Sequence, residues 1–221
     1  MTIEKLVFEN LRYKNFQTME KKSTFDKQHV EFVFKQYGKL HAISFAYREL
    51  KPNEYLQLAN GLKSLYKTFS EIASFRDSIK KVFSVCLENL EKEGNNKIVE
   101  KFKRYVENGP YILSDVTNYK GKYSAILHGD CWSNNMMFKY DETGALEDMR
   151  MIDFQLSYVG SPVTDLSYCL YSSGSKELFD QLDHFLSVYH RSLIEAVKQL
   201  GCYSENIFPL GRTEKGLEGV L

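Results

Sequence analysis

The segment spanning residues 123–162 constrains the fold most, because helical periodicity stops there and short apolar runs take its place. Runs at residues 125–127, 136–140 and 149–152 have the length of β-strands, and a turn-like Asp-Glu-Thr-Gly at 141–144 separates the second run from the third. The pattern predicts a β-hairpin built from the second and third runs.

Helical patterns fill the chain on both sides of this hairpin. Apolar residues from Asp26 to about Leu50 recur at helical spacing, and Pro52 predicts that this helix ends near Leu50. An Asn-Gly-Pro sequence at 108–110 is expected to close another helix, and Gly201 is expected to cap the last one. The chain is therefore predicted to be α+β and mostly helical. The helical patterns cover residues 26–50, 53–93, 97–107, 163–173 and 176–200.

Composition limits the classes of function. The 221 residues are 43% hydrophobic and 14% aromatic, which suits one globular domain with a substantial core. Lysine plus arginine equal aspartate plus glutamate, at 29 each, so the basic excess typical of nucleic-acid binding is missing. We therefore expect no nucleic-acid partner.

The cysteines and the apolar runs of the sequence indicate the cellular compartment of the protein. The four cysteines contain no C-x-x-C pair, which argues against a zinc knuckle or a dense disulfide framework and favours free thiols. The N-terminal residues are too charged for a signal peptide, and no apolar stretch approaches a membrane span. We expect a cytoplasmic protein without a membrane partner.

The hairpin itself predicts a candidate metal site. If it folds symmetrically about Gly144, Asn135 lies opposite Asp153 at the open end. One carboxylate and one amide oxygen, completed by water and phosphate, suit Mg²⁺. Asp130 lies five residues before Asn135, so its carboxylate can reach the same end and accept a proton from a hydroxyl nucleophile.

Each of these residues also has an ordinary structural interpretation. Asp and Asn at strand ends often form turns with their own backbone, and His128 before Gly129 fits a half-buried histidine. His-Gly-Asp, an Asn five residues later, a hairpin and Ile-Asp-Phe form a combination that chance rarely assembles in this order. The combination favours the functional interpretation.

The segment HGDCWSNNMMF followed by MIDFQ resembles the ecdysteroid kinase-like family, also called CHK-kinase-like. That family is related to choline kinases and aminoglycoside phosphotransferases. VFENLRYKNF near the start resembles its hinge, and GSPVTDLSYCLY resembles the segment after its metal-binding Asp. The resemblance covers about residues 4–210 and implies the C-terminal lobe of the protein-kinase-like fold, with a small catalytic β-hairpin.

The resemblance also implies a role for individual residues. Asp130 matches the catalytic base, and His128 would hold the loop around it in shape. Asn135 and Asp153 match the Mg²⁺ ligands, and Asp165 would support the catalytic loop without touching substrate. ATP would meet the hinge through backbone groups that face adenine, and the matching residues are Val7, Phe8, Glu9 and Asn10.

The chain departs from the family pattern at both ends. A kinase of this type needs an N-terminal lobe with a phosphate-covering loop and a lysine, and no Gly-rich loop precedes the hinge here. We expect a hinge remnant at 1–12, a kinase-like C-lobe at 13–210 with its catalytic and metal-binding segment at 123–165, and a divergent or truncated tail at 211–221. The N-terminal lobe is expected to be absent. The chain is expected to be a fragment with little or no activity alone, and a naturally short form is the alternative.

Three hypotheses on function follow. The first is ATP- and Mg²⁺-dependent phosphoryl transfer by the full-length form to a hydroxyl of a small molecule, ecdysteroid-like or otherwise hydroxylated. The second is a non-catalytic binding module or pseudokinase. The third is a choline- or aminoglycoside-type kinase, whose cationic substrate would need carboxylates and aromatic rings. The helices after Pro162 offer such residues at Asp180, Asp183, Tyr189 and Glu195, although helix-face spacing explains them equally well. The oligomeric state stays open.

Overall fold

The computed structural model describes residues 8–19 and 24–202. The described residues form a mostly helical α+β structure, as predicted. The helices are α1 Lys27–Leu50, α2 Pro52–Gly61, α3 Leu65–Glu71, α4 Ala73–Glu93, α5 Asn96–Val116, α6 Pro162–Ser173, α7 Lys176–Phe179 and α8 Leu182–Gln199. The strands are β1 Ala125–Leu127, β2 Met136–Tyr140, β3 Leu146–Met151 and β4 Tyr158–Gly160, and short 3-10 turns lie at Leu11–Lys14 and Ser133–Asn135.

The strands form two small antiparallel sheets between the helical halves. β2 pairs with β3 as the predicted hairpin, and β1 pairs with β4, a strand that the sequence did not indicate. Gln17 adds one further bridge to the hairpin, because its backbone N–H and C=O both bond to Phe138 at 2.8 Å. The segment after the predicted hinge is therefore attached to β2.

The long helix α1 is the centre of the core. It begins where Asp26 accepts a hydrogen bond from the backbone N–H of His29, and it ends at Leu50, before Pro52, as predicted. It packs along α8, and a Cβ at Gly38 would lie 2.6 Å from the backbone oxygen of Tyr189, so the two backbones approach closely. The fully buried side chains of these two helices include Val30, Val33, Phe34, Tyr37, Phe185, Tyr189 and Leu193.

The helical region between α1 and the sheets differs from the prediction in two ways. Residues 53–93 form three helices, because extended residues interrupt the pattern and Ser64 caps α3 by accepting from the N–H of Tyr66. The predicted stop at 108–110 is wrong, since α5 continues to Val116. Packing explains this: a Cβ at Gly109 would lie 2.2 Å from the Phe83 ring of α4, so glycine lets the two helices stay in contact.

The predicted hairpin register is wrong by one residue. The Asp141 N–H bonds to the Ala145 oxygen, which centres the turn on Thr143 and not on Gly144. A bulge then changes the pairing, because Lys139 faces Asp148 while Tyr140 faces Leu146. Met136 therefore faces Met151, and Asn135 lies opposite Ile152, one residue before Asp153.

The remaining predictions concern the end of the described chain. Gly201 follows α8 with a φ of 84°, and its N–H bonds to the Lys198 oxygen at 3.0 Å, which confirms the predicted glycine cap. The predicted tail at 211–221 lies outside the described residues. Within residues 8–19 and 24–202, none of the helices combines the length and apolar character needed to cross a bilayer.

Candidate active site

A loop at residues 128–135, called loop 128–135 below, joins β1 to β2 and carries the predicted catalytic residues. Its second residue, Gly129, has a φ of 83°, and a Cβ there would lie 2.2 Å from the backbone oxygen of Leu156. Only glycine fits this position without strain. The loop therefore turns sharply just before Asp130 while it stays in contact with the segment after β3.

Asp165, in the first turn of α6, holds the start of this loop. Asp165 is 1% exposed, and its carboxylate accepts hydrogen bonds from the backbone N–H groups of His128, at 2.8 Å, and Gly129, at 3.0 Å. A buried carboxylate requires such donors, because ionised groups are costly to bury alone. The Asp165 side chain therefore holds the backbone of loop 128–135 at its first two residues.

His41 of α1 extends this support into the core. Its Nε2 lies 3.2 Å from Asp165 Oδ2, and its Nδ1 lies 3.0 Å from the Tyr189 hydroxyl of α8. Because the carboxylate can only accept, Nε2 carries the proton and Nδ1 accepts from Tyr189. The sequence analysis missed His41, and its position on an apolar helix face gives no local signal of a partner far along the chain.

His128 connects loop 128–135 to the end of β3. Its side chain is fully buried, and Nε2 donates to the backbone oxygen of Ile152 at 3.0 Å. Its Nδ1 accepts the N–H of Asp130 at 3.3 Å. The ring also packs on Phe154, with ring centroids 4.4 Å apart. The imidazole therefore holds the backbone on both sides of the candidate site.

Asn135 fixes one side of the Asp130 carboxylate. Its Nδ2 donates to the Asp130 backbone oxygen at 2.8 Å and to Asp130 Oδ2 at 3.2 Å. Both partners are acceptors, so the amide nitrogen must face them and Oδ1 faces elsewhere. In the described part of the chain, Oδ1 accepts no hydrogen bond, which leaves it available as a ligand.

Asp153 follows β3 and is connected to Asn135 through the backbone of the residue before it. The N–H of the preceding residue, Ile152, donates to the Asn135 backbone oxygen at 2.9 Å. Asp153 has a φ of 64°, a left-handed conformation that few residues other than glycine, asparagine and aspartate adopt. Asp153 is exposed, and Gln155 Nε2 donates a hydrogen bond to Asp153 Oδ2 at 3.3 Å.

These two residues fit a hard divalent cation. An exposed carboxylate and a free amide oxygen are the ligand types that Mg²⁺ binds, and Mg²⁺ usually keeps several waters and bridges to substrate phosphates. Among the described residues no group of three or more His, Cys, Asp or Glu side chains forms a metal cage. Asn135 and Asp153 therefore suit a metal that arrives with a phosphate better than a structural ion.

Two tyrosines that the sequence analysis did not single out also contact the loop. Tyr168 of α6 donates to Asp130 Oδ1 at 3.0 Å, and Tyr66 of α3 donates to the Gly129 backbone oxygen at 2.7 Å. Burial, followed by the nearby charge of Asp130, raises the pKa of Tyr66 from 10.0 to about 12. Burial also raises the pKa of Tyr168, and Asp130 adds to this through its charge and hydrogen bond. Both hydroxyls therefore stay protonated donors at neutral pH.

The predicted adenine-binding residues fall at the start of the described chain. Val7 is outside the described residues, and Phe8 is 83% exposed. Glu9 forms an ion pair with Lys14 at 2.5 Å, and Asn10 caps the Leu11–Lys14 turn by accepting the Arg12 N–H at 3.1 Å. Among the described residues, no hydrogen bond or ion pair joins Phe8, Glu9 or Asn10 to the loop.

Two other features have ordinary structural roles. Burial raises the pKa of the Cys131 thiol, which supports its interpretation as a small core residue without special reactivity. Tyr189 is fully buried against His41, so it does not line a cation pocket. Asp180 is paired with Lys176 at 2.9 Å on the surface. Tyr189 and Asp180 therefore have structural partners, and their suggested role toward a cationic substrate stays a prediction.

In protein kinases, a catalytic-loop Asp, an Asn five residues after it and the Asp of a later Asp-Phe-Gly segment orient the hydroxyl and hold the metal ions. Asp130, Asn135 and Asp153 have the same residue types in the same order. Residues 2–202 match the model of the ecdysteroid kinase-like family, and the chain belongs to this family. The resemblance seen in the motifs is thus confirmed.

Other comparisons add little to this assignment. No curated protein matches the chain in sequence. Among solved structures, the chain is similar to a macrolide 2'-phosphotransferase type I, with 14% identity, a TM-score of 0.31 and coverage of 93% of this chain. The chain spans 60% of the length of that structure. The assignment to the family therefore depends on the family match alone.

Proposed function

We propose that the protein transfers the γ-phosphoryl group of ATP to a hydroxyl of a small molecule, with Mg²⁺ held by Asn135 and Asp153. The observation that carries the proposal is the contact of Asn135 with both Asp130 and Ile152. It links the candidate base to the candidate metal ligands at one end of the hairpin. Membership in a family of kinase-like phosphotransferases supports the same chemistry.

In this proposal Asp130 orients the acceptor hydroxyl and accepts its proton. Its carboxylate is half-buried and held by Tyr168 on Oδ1 and by Asn135 on Oδ2, which leaves further lone pairs for a substrate. A positioned general base contributes about 10²- to 10⁴-fold to a rate. Bound Mg²⁺ would neutralise charge on the phosphates.

His128 and Asp165 act through the backbone in this proposal. His128 keeps Ile152 and Asp130 in place, and Asp165 holds the loop from the core side. We keep residues 7–10 as the proposed adenine hinge, whose backbone groups would meet ATP.

The acceptor is proposed to be an apolar molecule that carries hydroxyl groups, such as an ecdysteroid. Partly exposed aromatic side chains near Asp130 support this, because Trp132 and Tyr168 are each 38% exposed and Phe154 is 46% exposed. Such rings favour stacking on an apolar ring system. The free cysteines of the described residues support the proposed cytoplasmic location. Neither nucleic acid nor membrane enters the proposal.

The test measures transfer from [γ-³²P]ATP by the native polypeptide with Mg²⁺ and a panel of acceptors that includes ecdysone, choline and an aminoglycoside. We expect transfer to a hydroxylated acceptor by the wild type, a loss of at least about 100-fold in Asp130→Asn, and normal transfer in Asp77→Asn. Asp77 is an exposed residue of α4 and serves as the matched control. Full activity in Asp130→Asn would remove Asp130 as the base.

The same panel separates the alternatives. ATP binding without transfer to any acceptor would favour a non-catalytic module. Transfer to choline or the aminoglycoside alone would favour a kinase for cationic substrates. Chelation of the metal by EDTA should abolish transfer, and activity that persists without divalent cation would contradict the proposed role of Asn135 and Asp153.

A further inference from the structure

Tyr168 has a contact that loop support does not require. Its hydroxyl donates to Asp130 Oδ1 at 3.0 Å, while Asn135 holds Oδ2 from the other side. A carboxylate fixed at both oxygens cannot rotate about its last bond without breaking one of these hydrogen bonds. The two donors therefore set the plane of the carboxylate and the directions of its remaining lone pairs.

The location of Tyr168 on α6 explains how this is achieved. It follows Asp165 by three residues, so the two side chains lie on the same face of the helix. Asp165 holds the loop backbone at His128 and Gly129, and Tyr168 holds the side chain of the next residue, Asp130. One rigid helix thus controls both the position of the loop and the orientation of the carboxylate.

We propose that Tyr168 is a positioning residue for phosphoryl transfer, which orients the Asp130 carboxylate toward the acceptor hydroxyl. The inference rests on the proposed function. Tyr168 does not accept the proton itself, and its raised pKa keeps its hydroxyl a donor at neutral pH. Removal of this hydroxyl should slow the chemical step, because Asp130 would then sample orientations that do not face the acceptor.

A second arrangement predicts the opposite effect and provides a sharp contrast. If the Tyr168 hydroxyl occupied the place on Asp130 where the acceptor hydroxyl must bind, its removal would open the site and raise the rate. Tyr168→Phe removes the hydroxyl and keeps the ring, so it distinguishes the two by the sign of the change.

The kinetic experiment compares Tyr168→Phe with Tyr171→Phe in the native polypeptide, with MgATP and the best acceptor of the panel. Tyr171 lies one turn further along the same helix, is exposed, and has its ring against Phe179. We expect kcat to fall about 10- to 100-fold in Tyr168→Phe, the range for loss of a hydrogen bond to a charged group. KM for ATP should stay within about twofold of the wild type, because the Tyr168 hydroxyl is bonded to Asp130, outside the proposed ATP hinge.

Tyr171→Phe should leave both parameters unchanged. An unchanged or increased kcat in Tyr168→Phe would overturn the positioning role. So would an equal loss in both variants, since that would indicate a general effect on α6.

A measurement without turnover tests the contact itself. In protein labelled with [¹³Cζ]tyrosine, the resonance that disappears in Tyr168→Phe is that of Tyr168, and it should shift in Asp130→Ala but not in Asp77→Ala. A resonance that does not respond to Asp130→Ala would overturn the contact. The resonance could also respond to Asp130→Ala while the wild type transfers no phosphate to any acceptor. That result would confirm the contact but overturn the proposed function, and with it the catalytic role of the contact.

Discussion

Gly129 and Gly144 have the same backbone angle, with φ at 83°, but different surroundings. A Cβ at Gly129 would lie 2.2 Å from the Leu156 backbone oxygen, whereas a Cβ at Gly144 would meet nothing within 4 Å. Alanine at Gly144 therefore adds only backbone strain, and alanine at Gly129 adds the same strain together with a steric overlap. The pair of variants separates the two costs.

The expected magnitudes follow from these geometries. An L-residue in the left-handed region costs about 1–2 kcal/mol, which applies to both positions. A heavy atom forced into a packed site costs about 1–3 kcal/mol more, because neighbouring backbone must move. We therefore expect the free energy of unfolding to fall by about 1–2 kcal/mol in Gly144→Ala and by about 2–5 kcal/mol in Gly129→Ala.

Urea unfolding measures both losses. Far-UV circular dichroism follows the helices, and fluorescence follows Trp132, the single tryptophan of the chain, which lies within loop 128–135. If the free energy of unfolding falls with urea concentration at the same slope in the wild type and the variants, a change in midpoint reports a change in stability alone. In Gly129→Ala the fluorescence transition should shift at least as far as the dichroism transition, because the overlap is local to the loop.

A loss in Gly129→Ala no larger than that in Gly144→Ala would refute this reasoning. It would mean that the loop and the Leu156 segment can separate without cost. The close approach would then not be what holds loop 128–135 against the segment after β3.

Two further predictions test the support of the loop. Asp165→Asn should lower the free energy of unfolding by about 1.5–3 kcal/mol, because an amide offers one oxygen to three buried donors and at least one of them loses its acceptor. The control variant at an exposed position, Asp77→Asn, should change the free energy of unfolding by less than about 0.5 kcal/mol in the same urea titration. Equal effects of the two substitutions would contradict the role of Asp165. Burial, and then the charge of Asp130, raise the pKa of Tyr66 in the folded protein from 10.0 to about 12, above its value in the unfolded chain. The contribution of Tyr66 to the free energy of unfolding is therefore complete below pH 10 and is lost as the pH rises toward 12. Urea midpoints between pH 8 and 11.5 should therefore fall less steeply in Tyr66→Phe than in wild type, and an identical slope would contradict the raised pKa.

The elements of the fold could be predicted because their signals are local. The hairpin follows from two apolar runs around a turn sequence, and α1 follows from helical spacing between Asp26 and Pro52. The helix α5 could not be bounded in this way, because it continues through 108–110, where Gly109 lies against the Phe83 ring of α4. Tertiary packing decides such boundaries, and a single sequence does not reveal it.

The candidate site shows the same division. Asp130, Asn135 and Asp153 could be selected because they occur in a recognisable order along one short segment. Tyr168 and His41 could not, because their partners lie 38 and 124 residues away in the chain. Their roles depend on how α6 and α1 pack against loop 128–135, which no local pattern specifies.

The one-residue error in the hairpin register bears on the predicted pairing of Asn135 with Asp153. A shift of one residue normally moves a strand's side chains to the opposite face of a sheet. Asn135 lies opposite Ile152, as the 2.9 Å bond between them indicates, so Asp153 is one step beyond the last pair. Asp153 has a φ of 64° and has left the extended conformation, so the alternation of faces no longer applies to it. The strand register therefore does not fix the direction of the Asp153 side chain.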